Sequence, residues 1–404
     1  MIALRGGAEV TRIGSMRTNL AFLNIQHNLP RTLVALAGIG VAILLMFMQL
    51  GFRGAVENTA TTLYDRMDFD LLVRSPGYLH FVEPDGIEVA VLDQLRSHSG
   101  VREVKPLQVG LAGWLSSDQK QLRGLMVLGI EPRQPPFRAE QVPADWQQLE
   151  TDGTLLIDTR SSPQFGPVDG KRFGDADLGR STEVNSQRFR IAGTYTLGAG
   201  LTADGSLVTN LNGFQRISQG LSVGQVSLAL VSLNPGVDPI KTQAELQQML
   251  TGPSGSRRAE VLNRPEVVGR ELNRWINETP IGFIFTLGVL LSLIVGGAIF
   301  YMILATDVAK RLPEYATLRA MGYPDRRLAG FVLMQAFYLG MFAFFPALLV
   351  SIGGYFLTEW LANIPIAMNS GRIVLVFCLT LVMCVASGLL ALRKLFQAEP
   401  ASLF

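Results

Sequence analysis

Four long runs of apolar residues, separated by polar segments, are the most regular feature of the chain. The runs cover residues 33–52, 281–304, 328–357 and 373–392. About 20 apolar residues in a helix cross the roughly 30 Å hydrocarbon core of a bilayer. The pattern therefore predicts four transmembrane helices. The third run is long for one crossing, and Pro346 in its middle predicts a kink or a tilt.

The segments between the runs differ in length and in charge. Three short segments are basic: residues 1–32 contain four Arg, residues 305–327 contain five Lys or Arg, and residues 393–404 contain two, whereas Arg372 is the one basic residue of residues 358–372. Short basic segments tend to stay in the cytoplasm. Both termini and residues 305–327 are therefore predicted to be cytoplasmic, and residues 53–280 and 358–372 to lie on the outer side. Within the first segment, residues 16–29 have helical spacing that would suit an interfacial helix.

Composition agrees with a membrane protein that also has a large polar domain. Of the 404 residues, 48% are hydrophobic and 17% charged, the mean hydropathy is +0.29, and the net charge is +2. Both cysteines, Cys378 and Cys384, lie in the fourth apolar run. The outer domain therefore contains no disulfide and must be stabilised by its own core, for which about 200 residues suffice.

The outer segment, residues 53–280, mixes strand and helix patterns without a βαβ rhythm. Strands are predicted at residues 104–115, 122–130, 154–158, 189–196 and 225–233, and helices at residues 89–98 and 240–250. This order favours an α+β domain in one or two lobes. The predicted fold class is a multi-pass α-helical membrane protein with four transmembrane helices and a large α+β domain between the first two.

Both ends of this outer domain show helical spacing next to the predicted membrane boundary. Val56, Ala60 and Leu63 continue the first apolar run at about 53–67, and a second set precedes the next run at about 265–279: Val268, Leu272 and Trp275. Two such segments could pair as an antiparallel, coiled-coil-like stalk. The alternative is that each packs separately on the globular domain.

A charged segment, residues 310–322, interrupts the apolar pattern between the second and third runs. Pro313 suits the start of a helix, Glu314 suits its first turn, and Gly322 followed by Pro324 predicts its end. At 1.5 Å per residue the helix is only roughly 13 Å long, too short to be stable alone. It needs a partner, so the segment is interpreted as a contact surface.

Small residues recur at four-residue spacing in two of the apolar runs. They are Gly288, Ser292 and Gly296 in the second run, and Ala336 and Gly340 in the third. Faces of this kind let transmembrane helices approach closely. The contacts could lie within one helical bundle or between two copies of the chain.

Motifs that would indicate an enzyme fail in their context. Residues 220–224 match G-x-S-x-G, but all three histidines precede them, whereas the hydrolase triad needs a later one. The chain has no G-x-x-x-x-G-K-[ST] motif and no metal-ligand spacing. The apolar runs are almost free of ionisable residues, which argues against an ion or solute path through the membrane. No catalytic, cofactor or metal site is predicted.

The segment Glu314-x-x-x-Leu318-Arg319-Ala320-x-Gly322 resembles the cytoplasmic loop motif of FtsX/MacB-type ABC permeases. The order of parts is also similar: one span, a large outer domain, then three spans. Residues 33–56, with Met46-Phe47-Met48-Gln49-Leu50-Gly51-Phe52, look more narrowly like the DevC branch of cyanobacterial glycolipid exporters. The broad resemblance covers essentially the whole chain, whereas the narrow one depends on the first span.

The resemblance implies a non-enzymatic permease in the bacterial inner membrane that forms a homodimer and transmits motion from a separate cytoplasmic ABC ATPase. ATP and Mg²⁺ would be bound by that partner. The expected coupling residues are Arg311, Glu314, Leu318, Arg319, Ala320 and Gly322. Further expected partners are a periplasmic membrane-fusion adaptor, a TolC-like outer-membrane channel and a lipid or hydrophobic cargo, but no nucleic acid. Alternatives are a lipoprotein-release permease and an FtsX-like regulator of an envelope hydrolase.

Overall fold

The computed structural model describes residues 29–81, 84–115, 121–198, 203–218, 224–252, 255, 257–362 and 366–397. Residues 16–28 of the predicted interfacial helix lie outside these ranges. The chain divides into two compact units. We call residues 1–55 with 280–404 the helical unit, and residues 56–279 the α/β unit.

In chain order, the α-helices of the described residues are α1 (Leu29–Arg66), α2 (Val89–Arg96), α3 (Leu211–Ile217), α4 (Pro239–Met249), α5 (Arg264–Asn273), α6 (Pro280–Lys310), α7 (Leu312–Ala320), α8 (Asp325–Ala362) and α9 (Ser370–Gln397). A π-helical turn, Arg274–Glu278, follows α5, and short 3-10 turns lie at Trp146–Glu150, Pro163–Phe165 and Asp175–Asp177.

Helices α1, α6, α8 and α9 are each long and apolar enough to cross a membrane. They contain the four predicted runs but extend beyond them at both ends. Helix α1 extends furthest, because it continues to Arg66, as the helical spacing of Val56, Ala60 and Leu63 predicts. Pro346 lies inside α8, which continues on both sides of it.

The helical unit has a shared apolar core. It contains Ile39, Ile43, Met46 and Phe47 of α1, Phe300 and Leu304 of α6, and residues of α8 and α9. A close approach occurs at Gly51, where a β-carbon would lie only 2.5 Å from the Tyr355 hydroxyl. That hydroxyl donates a hydrogen bond to the Phe47 carbonyl. A glycine at position 51 therefore lets α8 pack against α1.

The strands of the α/β unit are β1 (Leu71–Arg74), β2 (Ile87–Glu88), β3 (Val101–Leu115), β4 (Leu122–Ile130), β5 (Thr154–Asp158), β6 (Ser181–Val184), β7 (Gln187–Tyr195), β8 (Ser206–Asn210), β9 (Gln225–Val226), β10 (Leu228–Leu233) and β11 (Glu260–Asn263). The main sheet has the order β11-β1-β10-β3-β4-β8-β5-β7-β6, and β2 pairs with β9. Most pairs are antiparallel; β4–β8 and β5–β7 are parallel.

The long strand β3 belongs to two parts of this sheet. Its first half pairs with β10, while its end pairs with β6 through Trp114 and Leu115. The β3–β6 pairing closes β3, β4, β8, β5, β7 and β6 into a six-stranded barrel, because each member is then bonded to two neighbours. The remaining strands β11, β1 and β10 extend from β3 as an open sheet. The α+β character and the two-lobed arrangement agree with the sequence analysis.

Separate apolar cores fill the two lobes. Trp114, Phe165 and Phe189 belong to the core of the barrel lobe. Val91, Leu95 and Leu246 bring α2 and α4 onto the open sheet. A third core contains Leu63, Tyr64 and Met67 from the end of α1, together with Leu128 and Val267. This third core holds both ends of the α/β unit.

Candidate functional site

Helix α7 occupies the charged segment that the sequence identified as a contact surface. It begins at Leu312, so Pro313 takes its second position rather than its first, and Glu314 lies in its first turn. The Met321 amide donates to the Thr317 carbonyl at 3.0 Å, and Gly322 then adopts a φ of +87°. This left-handed conformation favours glycine and ends the helix, as the sequence pattern predicts.

One side of α7 is docked on the helical unit. Leu312 and Tyr315 pack against an apolar cluster formed by α6, α8 and α9, whose buried members are Val308, Leu328, Val332 and Leu392. Burial raises the pKa of the Tyr315 phenol above its ordinary value. A nine-residue helix gains the tertiary packing that it needs from this cluster.

Away from this apolar contact, the described side chains of α7 are exposed to solvent. Glu314 and Thr317 are exposed, as is Gly322, while Arg311 is half-buried. Leu318, Arg319 and Ala320 lie on α7, but their side chains are outside the described part of the structure. Helix α7 is packed on one side and exposes Glu314 and Thr317 on the other, so its exposed side is available to bind another protein.

A polar contact lies close to this docked helix. The Gln335 amide of α8 donates to the Asp307 carboxylate of α6 at 3.0 Å. The Arg311 amide donates to the Asp307 carbonyl at 3.3 Å, where α6 ends. Asp307 therefore connects α8 to the end of α6, directly before the turn that leads into α7.

The small residues predicted to pack transmembrane helices all lie inside this one bundle. A β-carbon on Gly288 would meet the Gln49 side chain, and one on Gly296 would meet Ala42 and Met383, each at 2.5–2.7 Å. One on Gly340 would clash with Cys384. Ser292 and Ala336 are buried, and the Ser292 hydroxyl donates to the Gly288 carbonyl at 2.8 Å.

The two predicted stalk segments meet through polar side chains inside the α/β unit. Val56, Ala60 and Leu63 are buried. Arg264, the first residue of α5, donates to the carbonyls of Tyr64, Met67 and Phe69 at 2.6–3.1 Å. The Tyr64 hydroxyl donates to Glu271 at 2.8 Å. An extended coiled-coil seam stays a prediction, whereas these contacts fasten the end of α1 to α5.

The buried face of α5 differs from the predicted one. Val268, Leu272 and Trp275 are half-buried, whereas Val267 and Glu271 are fully buried. Two features set this orientation: the Arg264 contacts and a capping box in which Asn263 and Glu266 satisfy the first amides of α5. The π-helical turn after α5 then changes the spacing before Trp275. An apolar pattern alone could not indicate that a carboxyl occupies the buried face.

Glu271 is the centre of a buried polar cluster that the sequence analysis missed. Its side chain is 1% exposed, and Tyr64, Tyr78, Trp275 and Arg74 lie around it. Burial raises the pKa of Glu271 from 4.5 to about 7, while the Tyr64 hydrogen bond and the nearby Arg74 oppose this shift. Burial also raises the pKa of Tyr78. Glu271 Oε2 and Trp275 Nε1 form no hydrogen bond of normal geometry among the described residues.

Comparison with known proteins gives one match for the part of the chain that contains α7. Residues 286–400 match the family model described as FtsX-like permease C-terminal. Curated proteins give no significant match.

Three solved structures are similar to part of the chain. The periplasmic region of MacB from Actinobacillus actinomycetemcomitans has 11% identity and a TM-score of 0.36, over 50% of this chain and 92% of that one. The extracellular domain of the noncanonic ABC-type transporter YknZ from Gram-positive bacteria has 15% identity and a TM-score of 0.34, over 48% and 99%. A domain of a putative permease protein from Porphyromonas gingivalis has 16% identity and a TM-score of 0.33, over 48% and 93%. The fold assignment of the α/β unit is therefore based on the strand pairing of this chain.

Proposed function

We propose that this chain is the permease subunit of an ABC transporter of the FtsX/MacB type. The observation that carries the proposal is α7, a short helix docked on the helical unit through Leu312 and Tyr315 with Glu314 exposed on its free side. This helix lies inside the stretch that matches the FtsX-like permease family. A separate cytoplasmic ABC ATPase would bind the free side, hydrolyse ATP with Mg²⁺ and move the helix.

Movement of α7 would be transmitted to the α/β unit through the chain itself. Helix α7 follows directly after α6, and its apolar contacts include residues of α6, α8 and α9. At its other end α6 begins at Pro280, next to the last residue of the α/β unit. Helix α1 provides the second connection, because it continues unbroken from residue 29 to residue 66. Packed helices have low compressibility and therefore transmit displacement.

The proposed arrangement has both termini and α7 in the cytoplasm and the α/β unit in the periplasm, because short basic segments tend to remain inside. The permease would act as a homodimer. It would export a lipid or glycolipid together with a membrane-fusion adaptor and a TolC-like channel, as the resemblance of residues 33–56 to the DevC branch favours. Lipoprotein release and regulation of an envelope hydrolase are the alternatives.

Copurification tests this proposal. The tagged full-length chain, extracted from its native membrane in a mild detergent, is expected to bring down a protein with a Walker-type ATPase sequence. An adaptor and an outer-membrane channel in the same complex would support export, while a peptidoglycan hydrolase would support the regulatory alternative. Recovery of the chain without any ATPase, after chemical crosslinking in intact cells, would contradict the proposal.

A further inference from the structure

We propose that a cavity in the α/β unit binds the phosphate of a phospholipid-type headgroup. The cavity has a volume of about 510 Å³ and lies between the end of β1 and α5. Small-molecule sites commonly have volumes of about 300–1,000 Å³. Its lining residues are Arg74, Pro76, Tyr78, Leu79, Glu266, Gly269, Arg270, Asn273, Arg274 and Glu278.

Arg74 is the residue that indicates an anionic ligand. Its side chain is only 8% exposed, and its sole ionic partner among the described residues is Glu260, at 3.6 Å. The enclosed Nε atom donates no hydrogen bond within the described part of the chain. A buried guanidinium without hydrogen bonds is costly. An acceptor-rich anion in the cavity would offset the charge of Arg74 and would accept hydrogen bonds from its guanidinium nitrogens other than the enclosed Nε.

The carboxylates near Arg74 are already engaged. Glu260 is shared with Arg257 at 3.9 Å and with Arg270, so three cations depend on one carboxylate. Glu271 is hydrogen-bonded to Tyr64, and in the described chain it forms no ion pair with Arg74.

The two carboxylates that line the cavity are also occupied. Glu266 accepts from the Asn263 amide at 3.0 Å and from Gln243 at 2.6 Å. Glu278 accepts from Arg274 at 2.9 Å and from Asn273 at 2.8 Å. Three arginines and two glutamates line the cavity, so its lining has one positive charge in excess, and Arg74 and Arg270 are the lining arginines that do not pair with a lining carboxylate.

A phosphate group matches this donor set. Guanidinium groups bind phosphate through two parallel hydrogen bonds, and such charge-assisted bonds are about twice as strong as neutral ones. The Tyr78 ring lies beneath the Arg74 guanidinium, 5.4 Å from its centroid, and limits where that group can move.

A lipid headgroup is the source of phosphate that the surroundings favour. The cavity wall includes Pro76 and Leu79, and Leu79 exposes 43% of its surface. Only Thr279 separates Glu278 from Pro280, where an apolar helix long enough to span a bilayer begins. A glycerophospholipid would place its phosphate at the arginines and the start of its acyl chains against Leu79. The inference does not depend on an ATPase partner.

The test measures ligand binding to the full-length protein in a neutral maltoside detergent, without an ATPase. The probes are dihexanoyl phosphatidylglycerol, dihexanoylglycerol, which has the same acyl chains without phosphate, and inorganic phosphate. The variants are Arg74→Gln and, at the cavity rim, Arg270→Gln, whose native side chain is 44% exposed. The matched control is Arg133→Gln, because Arg133 is 79% exposed and lies outside the cavity.

Dihexanoyl phosphatidylglycerol is expected to bind the Arg133→Gln control as it binds the native chain, and to bind Arg74→Gln at least about tenfold more weakly. If Arg74→Gln does not fold, lipid binding by Arg270→Gln is compared with that of the Arg133→Gln control instead, and weaker binding is again expected. Equal binding of dihexanoylglycerol, or variants as tight as the control, would overturn the proposal. Displacement of the lipid by inorganic phosphate at equal concentration would support the phosphate site and assign its ligand to a soluble phosphate.

Discussion

Replacing Glu314 and Arg319 together by alanine is expected to abolish stimulation of the partner ATPase while leaving the protein folded and inserted. Glu314 is exposed on the free side of α7, and Arg319 lies in the last turn of the same helix. If the ATPase pairs with these charges at a buried interface, removing one partner of such a pair typically costs about 2–5 kcal/mol of binding energy. The partner ATPase is coexpressed with the native permease or with the variant. Its ATPase activity and its association with the permease are then measured in both cases.

The matched control for this double variant is Arg133→Ala with Glu150→Ala. These two side chains form an exposed ion pair at 3.0 Å in the α/β unit, so their removal also deletes one cation and one anion. The control is expected to retain normal stimulation. If the Glu314 and Arg319 variant stimulates the ATPase as strongly as this control, α7 is not the coupling surface.

The α/β unit is expected to become more stable as the pH falls from 8 to 5.5, and Glu271→Gln to remove much of this dependence. The pKa of Glu271 is about 7 in the folded chain and 4.5 ordinarily, so between these values the folded state binds more protons than the unfolded state. Stability then decreases as pH rises through this window. The whole shift corresponds to about 3 kcal/mol, of which about 2 kcal/mol falls between pH 5.5 and pH 8.

Thermal unfolding of the full-length protein at several pH values measures this effect. Glu271→Gln should raise the melting temperature much more at pH 8 than at pH 5.5, because the buried carboxyl is ionised at pH 8 and neutral at pH 5.5. The control is Glu140→Gln, which replaces an exposed carboxyl of the same unit. Identical pH profiles for native protein and Glu271→Gln would show that this carboxyl is ionised and stabilised in the folded chain.

The sequence was most informative where a periodic pattern was long or where a turn residue had a specific conformation. All four apolar runs lie in helices that could span a membrane, and Leu122–Ile130 and Thr154–Asp158 are strands with the predicted bounds. Gly322 ends α7 with the expected positive φ. These features depend on local chemistry, which a single sequence contains.

Features that depend on distant parts of the chain were missed. The short strands β1, β6 and β11 contain four residues each, too few for a clear alternating pattern, and β1 is stabilised by pairing with β10 and β11. Glu271 is buried because α1 brings Tyr64 to it from 207 positions away. The position of Arg74 in a cavity was likewise not predictable, because residues of α5, far away in the sequence, form the opposite wall.

The proposed function requires α7 and the α/β unit to lie on opposite sides of the membrane, because only then can the chain transmit motion from a cytoplasmic ATPase to the outside. The direct test labels single cysteines with a membrane-impermeant maleimide in a Cys378→Ala, Cys384→Ala background. Thr317→Cys probes α7 and Lys171→Cys probes the α/β unit, since both native side chains are exposed. The account predicts labelling of Thr317→Cys only in inverted vesicles and of Lys171→Cys only in right-side-out vesicles. Labelling of both positions from the same side would contradict it.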